Sequence, residues 1–179
     1  MRRAFALLAM VAFCLPCHAQ VTARQGAADS APNREFTSPM VLEVPFVPET
    51  WEKERLNSTN SVRRSISQGR RLDLSGYECD KVVVNSVIFV RSKPRNGVVR
   101  YWVEAETYTR PGIDKLVTVT FEILQDPAGQ PEAAATVRDI DAEEKKLRAG
   151  VAELLVPETV LATSPPPTLR ITVSVRDNG

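Results

Sequence analysis

The chain has 179 residues, of which 43% are hydrophobic, and its 23 basic and 22 acidic residues give a formal net charge of +1. This length and apolar content suffice for one domain with its own hydrophobic core. A near-neutral charge supplies none of the basic surface that nucleic-acid binding requires, so we expect no nucleic-acid partner.

The first 19 residues have the three parts of a secretory signal peptide. Two arginines supply the positive charge, and residues 4–16 form an apolar run that is too short to span a bilayer. The sequence predicts cleavage between Ala19 and Gln20, and export to the periplasm or the medium with no transmembrane segment. The alternative is lipidation of Cys17, which is disfavoured because no small residue precedes that cysteine.

Cleavage would remove most of the residues that carry nucleophilic and metal chemistry. The single histidine, His18, lies in the signal, as do Cys14 and Cys17, which leaves Cys79 as the one thiol. The net charge becomes −1, since 21 basic residues remain against 22 acidic ones. Catalytic triads and zinc sites that need histidine are excluded, so we predict no enzyme activity, no metal and no cofactor. Cys79 then either fills the core as a small hydrophobe or links two chains.

The N-terminal part of the mature chain gives weak signals. Residues 20–39 are polar without an apolar period, which predicts a flexible leader. Residues 40–47 predict a strand, and Pro45 within it favours a sheet edge. A short helical turn is predicted at 51–55, and a long polar loop at 57–67.

Stronger strand signals follow. Apolar residues on both parities predict a strand at 82–90 that is buried on both faces or interrupted by a bulge. Asn96 and Gly97 tolerate the positive φ of a tight hairpin, which joins it to a strand at 98–109. Alternation of apolar and polar residues predicts further strands at 116–124, 133–137 and 169–176.

Residues 141–156 fit two structures. As a helix, an acidic capping pair would begin it and its leucines would line one face. As a strand, apolar residues alternate through Val151 and Leu155, although Glu153 falls on the same parity. Gly150 lies in the middle of the segment and disfavours the helix. We predict a strand that ends at Val156, followed by a short helical turn.

About seven short strands joined by turns predict an all-β sandwich in one domain, residues 40–179, with its core at 81–176. The strand rhythm and the closing Leu-x-Ile-x-Val-x-Val of residues 169–175 resemble immunoglobulin-like and fibronectin type III-like domains of bacterial exported proteins. This resemblance implies an immunoglobulin-like β-sandwich. The two-cysteine pattern of true immunoglobulin domains is missing.

The strand at 98–109 carries the candidate binding surface. Parity places Trp102, Glu104, Glu106 and Tyr108 on one face, which we expect to be solvated because two carboxylates are costly to bury unpaired. Aromatic rings beside acids can bind sugars, a cationic peptide or the basic strip of a partner. The alternative is structural: the glutamates pair with Arg or Lys on the neighbouring strand, and the aromatic rings cover sheet edges.

Three other charged groups have a chemical and a structural interpretation. Glu104 and Glu106 have the spacing of a glycoside hydrolase pair, roughly 7 Å between α-carbons, but an exposed sheet face lacks the pocket that raises a pKa. An acidic cluster with the alternation of a calcium loop lacks that loop's glycine and is interpreted as a solvated turn: Asp139, Asp141, Glu143 and Glu144. Two arginine pairs are interpreted as a solvated loop, a counter-charge for an acidic face, or a contact with an anionic envelope surface: Arg63, Arg64, Arg70 and Arg71.

These features predict an exported, non-enzymatic β-sandwich module that mediates protein–protein interaction or envelope structure, with an envelope or extracellular protein as its partner. The alternative is a carbohydrate or small-ligand-binding module that uses Trp102 and Tyr108. Glycan binding needs both rings exposed and coplanar, whereas protein pairing needs an uncovered sheet face or edge.

Overall fold

The computed structural model describes residues 34–54, 69–109, 112–142 and 148–178, and most of these residues are in β-strands. The all-β prediction is therefore confirmed. The predicted signal peptide, its cleavage site and the loop at 57–67 lie outside the described residues.

The described chain forms eleven strands and two short helical turns. The first five strands are short: β1 Arg34–Phe36, β2 Met40–Pro45, β3 Glu52–Glu54, β4 Gly69–Asp73 and β5 Tyr77–Cys79. The last six are long: β6 Val82–Arg91, β7 Val98–Thr109, β8 Lys115–Leu124, β9 Ala133–Ala142, β10 Arg148–Pro157 and β11 Thr168–Asp177. A 3-10 turn spans Pro48–Thr50, and α1 spans Glu158–Leu161.

Sheet A contains four antiparallel strands in the order β2-β11-β8-β9. On β8, the residues Val117, Val119, Phe121 and Ile123 are 0% exposed, and the threonines between them are half-buried on the other side. The predicted alternation of this strand is confirmed. Strand β2 lies at the sheet edge, as its proline predicted.

Sheet B is built around β6. This strand pairs with β7 on one side, and β10 lies beyond β7. On its other side, residues 86–89 of β6 pair with β4 and residues 82–83 pair with β5. Strand β3 lies beyond β4, and β1 lies beyond β5. All of these pairings are antiparallel except that between β1 and β5.

Strand β6 is buried on both faces and also contains a bulge. Its register with β7 shifts between Val84 and Ser86. As a result, Val84 and Val87 both contribute to the core, although they differ in parity. The sequence predicted either burial on both faces or a bulge for this strand, and the structure shows both features.

The core lies between the sheets and takes side chains from both. At its centre five aromatic rings pack at centroid distances of 5.2 to 6.4 Å: Phe46, Trp51, Phe89, Tyr101 and Phe121. Met40 and Leu42 of β2 also belong to the cluster, so the core extends beyond the predicted 81–176.

Strand β9 of sheet A lies against β10 of sheet B. A Cβ atom on Gly150 would lie 2.0 Å from Cγ1 of Val137 and 2.8 Å from Cγ1 of Ile140. Glycine is therefore required for this close approach. Within the ambiguous segment 141–156, residues 148–156 belong to β10, and α1 follows it, so the strand and the helical turn after it are confirmed for the described part. Residues 141 and 142 are the end of β9.

Three details of the prediction are wrong. Residues 34–36 belong to β1 and not to a flexible leader, because pairing with β5 orders three residues that have no apolar period of their own. The helical turn expected at 51–55 lies at Pro48–Thr50, where Pro48 suits the first turn, and β3 follows it. The strands outnumber the predicted seven because short polar strands complete sheet B.

Candidate functional site

The predicted site residues lie on the outward side of sheet B. On β7, Tyr101, Val103, Ala105 and Thr107 point into the core, with exposures of 1% or less. Trp102, Glu104, Glu106 and Tyr108 lie on the opposite side and are half-buried. The predicted parity of this strand is confirmed.

We call this surface the outer face of sheet B and define it by strand register, since directly paired residues point to the same side of a sheet. On β6, β7 and β10 its members are Val83, Ser86, Ile88 and Val90 of β6, Arg100, Trp102, Glu104, Glu106 and Tyr108 of β7, and Ala149, Val151, Glu153 and Leu155 of β10. The same register places Arg71 and Asp73 of β4 and Glu78 of β5 on this side. The β6 members are buried, with exposures of 5% or less, so the accessible part of the face lies on β7 and β10.

Apolar and acidic side chains are interleaved across this face. Trp102 is paired with Val90 on one side and with Glu153 on the other. Two residues further along β7, Glu104 lies between Ile88 of β6 and Val151 of β10. Each of these carboxylates therefore has an apolar neighbour within cross-strand contact distance.

Strand β10 contributes apolar surface that the sequence analysis did not assign to a site. Among the described large hydrophobic residues, Val151 and Leu155 have the highest exposures, 38% and 51%. The strand prediction took their parity as the buried one, whereas Leu154 and Val156 of the other parity are 0% exposed. Glu153, which shares the parity of Val151 and Leu155, was the signal in the sequence for the correct orientation.

The glutamates on this face are held by different partners. Ser86 donates its hydroxyl to the Glu106 carboxylate at 2.5 Å, and the Asn85 amide donates to the same oxygen at 3.3 Å. Both of these donors are neutral, and the β6 bulge places them beside Glu106. Glu153 forms an ion pair with Arg100 of β7.

The outward side of sheet A has a different chemistry. Its threonines are small and polar, and those on neighbouring strands approach one another, as Thr120 and Thr136 do at 3.3 Å between hydroxyls. Arg170 binds Glu43 at 2.8 Å and lies 3.8 Å from Glu122. The two outward sheet faces therefore differ, since sheet A is polar and sheet B is apolar and acidic.

The structure gives the glycan interpretation little support. Trp102 and Tyr108 are both half-buried, and six residues of strand separate their α-carbons by roughly 20 Å, too far for both rings to stack on one sugar. Glu104 and Glu106 stand on a sheet face with a strand on each side.

Other charged groups that the sequence singled out are separate from this face or belong to local pairs. Asp139 lies 2.8 Å from Arg176, and residues 143–147 are not among those described. Arg71 pairs with Glu54 at 3.4 Å, and Arg70 donates to the Trp51 carbonyl at 3.1 Å. Arg63 and Arg64 lie outside the described residues.

Cys79 is 0% exposed, which confirms its interpretation as a buried small hydrophobe. Burial raises the pKa of its thiol to about 11. Burial likewise raises the pKa of Tyr101, in the aromatic centre, to about 12. Neither group is ionised near neutral pH, so neither supplies a nucleophile there.

A separate cleft of about 1200 Å³ lies where β1 meets the turns before β6 and β8. Its lining carries carboxylates such as Glu78 and Asp80, together with Lys81 and Lys115. Lys115 pairs with Asp177, which lowers the pKa of that exposed carboxyl. In the described ranges no group of three or more metal-ligating side chains comes together.

The fold defines this chain as an all-β protein with two sheets on one core. No family model, curated protein or solved structure matches it. Across the described residues, no helix has the length and apolarity needed to cross a bilayer.

Proposed function

We propose that this protein is an exported, non-enzymatic binding module with an immunoglobulin-like β-sandwich, and that the outer face of sheet B binds a protein partner. The partner belongs to the cell envelope or the extracellular medium. The observation that carries the proposal is the exposure of Val151 and Leu155, at 38% and 51%, beside Trp102 on that face.

Three arguments support binding through this face. Exposed apolar side chains that lie together on one surface are typical of interaction sites. The outward side of sheet A, with its threonines and its Arg170 ion pairs, lacks such a cluster among its described residues. Interfaces are also enriched in aromatic residues such as Trp102, which lies on the neighbouring strand.

Site-specific photo-crosslinking in the native host tests the proposal. Benzoylphenylalanine replaces Leu155 in one variant and Thr136, an exposed residue of sheet A, in the control. We expect one discrete crosslinked protein from position 155 and none from position 136. The partner is then purified and its Kd measured against the wild type and the Leu155→Ala variant, where we expect a roughly five- to thirty-fold loss of affinity.

The outcomes separate clearly. Equal crosslinking from both positions, or no adduct from position 155, contradicts the proposal. An unchanged Kd for Leu155→Ala contradicts it as well, because the partner would then bind elsewhere.

Export is tested by the intact mass of the protein recovered from the native host. We expect a chain that begins at Gln20. A mass that includes residues 1–19, or a diacylglycerol on Cys17, would show that the chain is retained or anchored.

A further inference from the structure

Strand β10 forms one edge of sheet B, since β7 is its one strand partner among the described residues. Its ten residues pair with β7 without a register shift, and residues 149–156 include one charged side chain, that of Glu153. The other described edges have six residues or fewer, as in β1, β2 and β3, or are interrupted by a bulge, as in β9. Short strands, bulges and charges protect edges from pairing, so β10 is the least protected edge of the described sheets.

The register shows which backbone groups of β10 are directed to its free edge. The Glu158 amide donates to the Gly97 carbonyl at 2.8 Å, and these two residues continue the register between β10 and β7. They form a hydrogen-bonded pair, and such pairs alternate with non-hydrogen-bonded ones along antiparallel strands. The odd-numbered residues of β10 are therefore in non-hydrogen-bonded pairs, and their N–H and C=O groups are directed away from β7: Ala149, Val151, Glu153 and Leu155.

Strand β9 does not occupy this edge. It approaches β10 from the core side, where Gly150 lies against Val137 and Ile140. Strand β9 belongs to sheet A and forms no ladder with β10 in the described part of the chain. The backbone groups at the edge of β10 are therefore available to a further strand, which would complete their hydrogen bonds.

A second copy of β10 is complementary to this edge in one register. In an antiparallel pair centred on Ala152, Val151 lies opposite Glu153 of the second copy, and Ala149 lies opposite its Leu155. This register pairs all four residues that have free backbone groups, and it makes Val151 of each copy a diagonal neighbour of Val151 and Leu155 of the other. A shift of the centre to Glu153 would place two carboxylates directly opposite each other, which is destabilising. A shift towards the start of β10 would leave Leu155 opposite a residue beyond the strand.

We infer that this protein forms a symmetric dimer in which the β10 edges of two copies pair antiparallel, centred on Ala152. Backbone hydrogen bonds supply the affinity, and contact between the apolar side chains of Val151 and Leu155 adds to it. The two-fold axis is perpendicular to the sheet, so the outer faces of both copies lie on the same side of one continuous sheet. The inference goes beyond the proposed function and does not depend on it, although such a dimer would present two adjoining outer faces to a partner.

Sedimentation equilibrium and hydrogen exchange of the protein purified from the native host test the inference. We expect the mass of two chains, which falls to that of one chain on dilution. In the dimer, the amide protons at the free edge should exchange roughly ten-fold or more slowly than in the monomer: those of Ala149, Val151, Glu153 and Leu155. The alternate amides of β10 donate to β7, so they are the internal control and should be protected in both states.

A matched pair of substitutions tests the register. Val151 is 38% exposed, so a charged side chain is tolerated there, and thermal unfolding checks that each variant is folded. Val151→Glu places a carboxylate opposite Glu153 of the second copy, whereas Val151→Lys places an ammonium group there. Because this pair occurs twice in the dimer, the lysine variant should dimerise roughly two- to thirty-fold more tightly than the glutamate variant. The same two substitutions at Ala134, an exposed residue of β9, control for net charge and should give equal dimerisation constants.

Three results would overturn the inference: a single-chain mass at all concentrations up to about 0.1 mM, unchanged exchange at the free edge of β10, or equal dimerisation of the two Val151 variants. If a Val151 variant does not fold, exchange in the wild type decides. Photo-crosslinking from position 155 distinguishes the inference from the proposed function. An adduct with another protein supports that function whether or not the chain dimerises, whereas an adduct of two copies alone supports the dimer and contradicts that function.

Discussion

Leu154 and Leu155 are adjacent on β10 and point to opposite sides of sheet B, so replacing each with alanine separates structure from binding. Leu154 is 0% exposed within the core, whereas Leu155 is 51% exposed on the outer face. Leu154→Ala should lower the free energy of unfolding by about 2–5 kcal/mol, because it removes buried methyl groups and leaves a cavity. Leu155→Ala should lower it by less than about 1 kcal/mol, since half of the side chain already contacts water.

Urea denaturation followed by circular dichroism gives both values, provided that the slope m is unchanged between variants. Partner affinity should respond in the opposite order: Leu155→Ala weakens binding, and folded Leu154→Ala retains it. If Leu155→Ala destabilises the protein as much as Leu154→Ala does, Leu155 is a structural residue and the apolar surface of β10 is not free for a partner.

Three further predictions concern stability. Gly150→Ala should destabilise by about 1–3 kcal/mol, because its Cβ would lie 2.0 Å from Cγ1 of Val137. Gly76→Ala, with no atom within 4 Å of the new Cβ, is the control and should change stability by less than about 1 kcal/mol; equal effects would refute close packing of β9 on β10. Wild-type stability should fall between pH 9 and 11, because burial raises the pKa of Cys79 to about 11 and the folded thiol keeps a proton that the unfolded chain releases. Cys79→Ala should remove about 2 kcal/mol of that fall at pH 10.5 in urea titrations, and an identical pH profile would contradict the pKa shift. Lys81→Gly should stabilise by about 1 kcal/mol in thermal unfolding, because Lys81 has a φ of 70° in the two-residue turn between β5 and β6; a lower melting temperature would contradict this.

The sequence predicted those strands in which one face is apolar and the other polar. In β8, β7 and β11, side-chain alternation alone determines both the strand and its buried side, because a shift of one residue would bury the polar set. The Asn96-Gly97 hairpin was equally predictable, since both residues adopt positive φ, 52° and 74°. These elements rest on local chemistry.

The short strands of sheet B could not be predicted, because their order comes from partners distant in the chain. Strand β1 has three residues and pairs with β5, more than 40 residues further along. Strand β3 is a Glu-Lys-Glu segment paired with β4, and its own composition disfavours a strand. Tertiary pairing overrides local propensity in both.

The orientation of β10 shows why part of the candidate site was missed. Its apolar residues occur on both parities, and Gly150 has no side chain to mark the inward side. The space on that side is filled by Val137 and Ile140 of β9, which the sequence could not reveal. The acidic Glu153 was the single local indication that Val151 and Leu155 point outward.

The bulge in β6 connects the fold to the acidity of the candidate site. If β6 paired with β7 in a regular register, the parity that buries Val82 and Val84 would also turn Ser86 into the core, and Val87 would point outward. The bulge keeps Val87 and Phe89 in the core and turns Ser86 outward, where its hydroxyl binds Glu106. Ser86 and Asn85 thus hold the Glu106 carboxylate through neutral donors, where a cation would have cancelled its charge. The same irregularity that made the run of residues 82–90 ambiguous therefore determines how Glu106 is held on the outer face of sheet B.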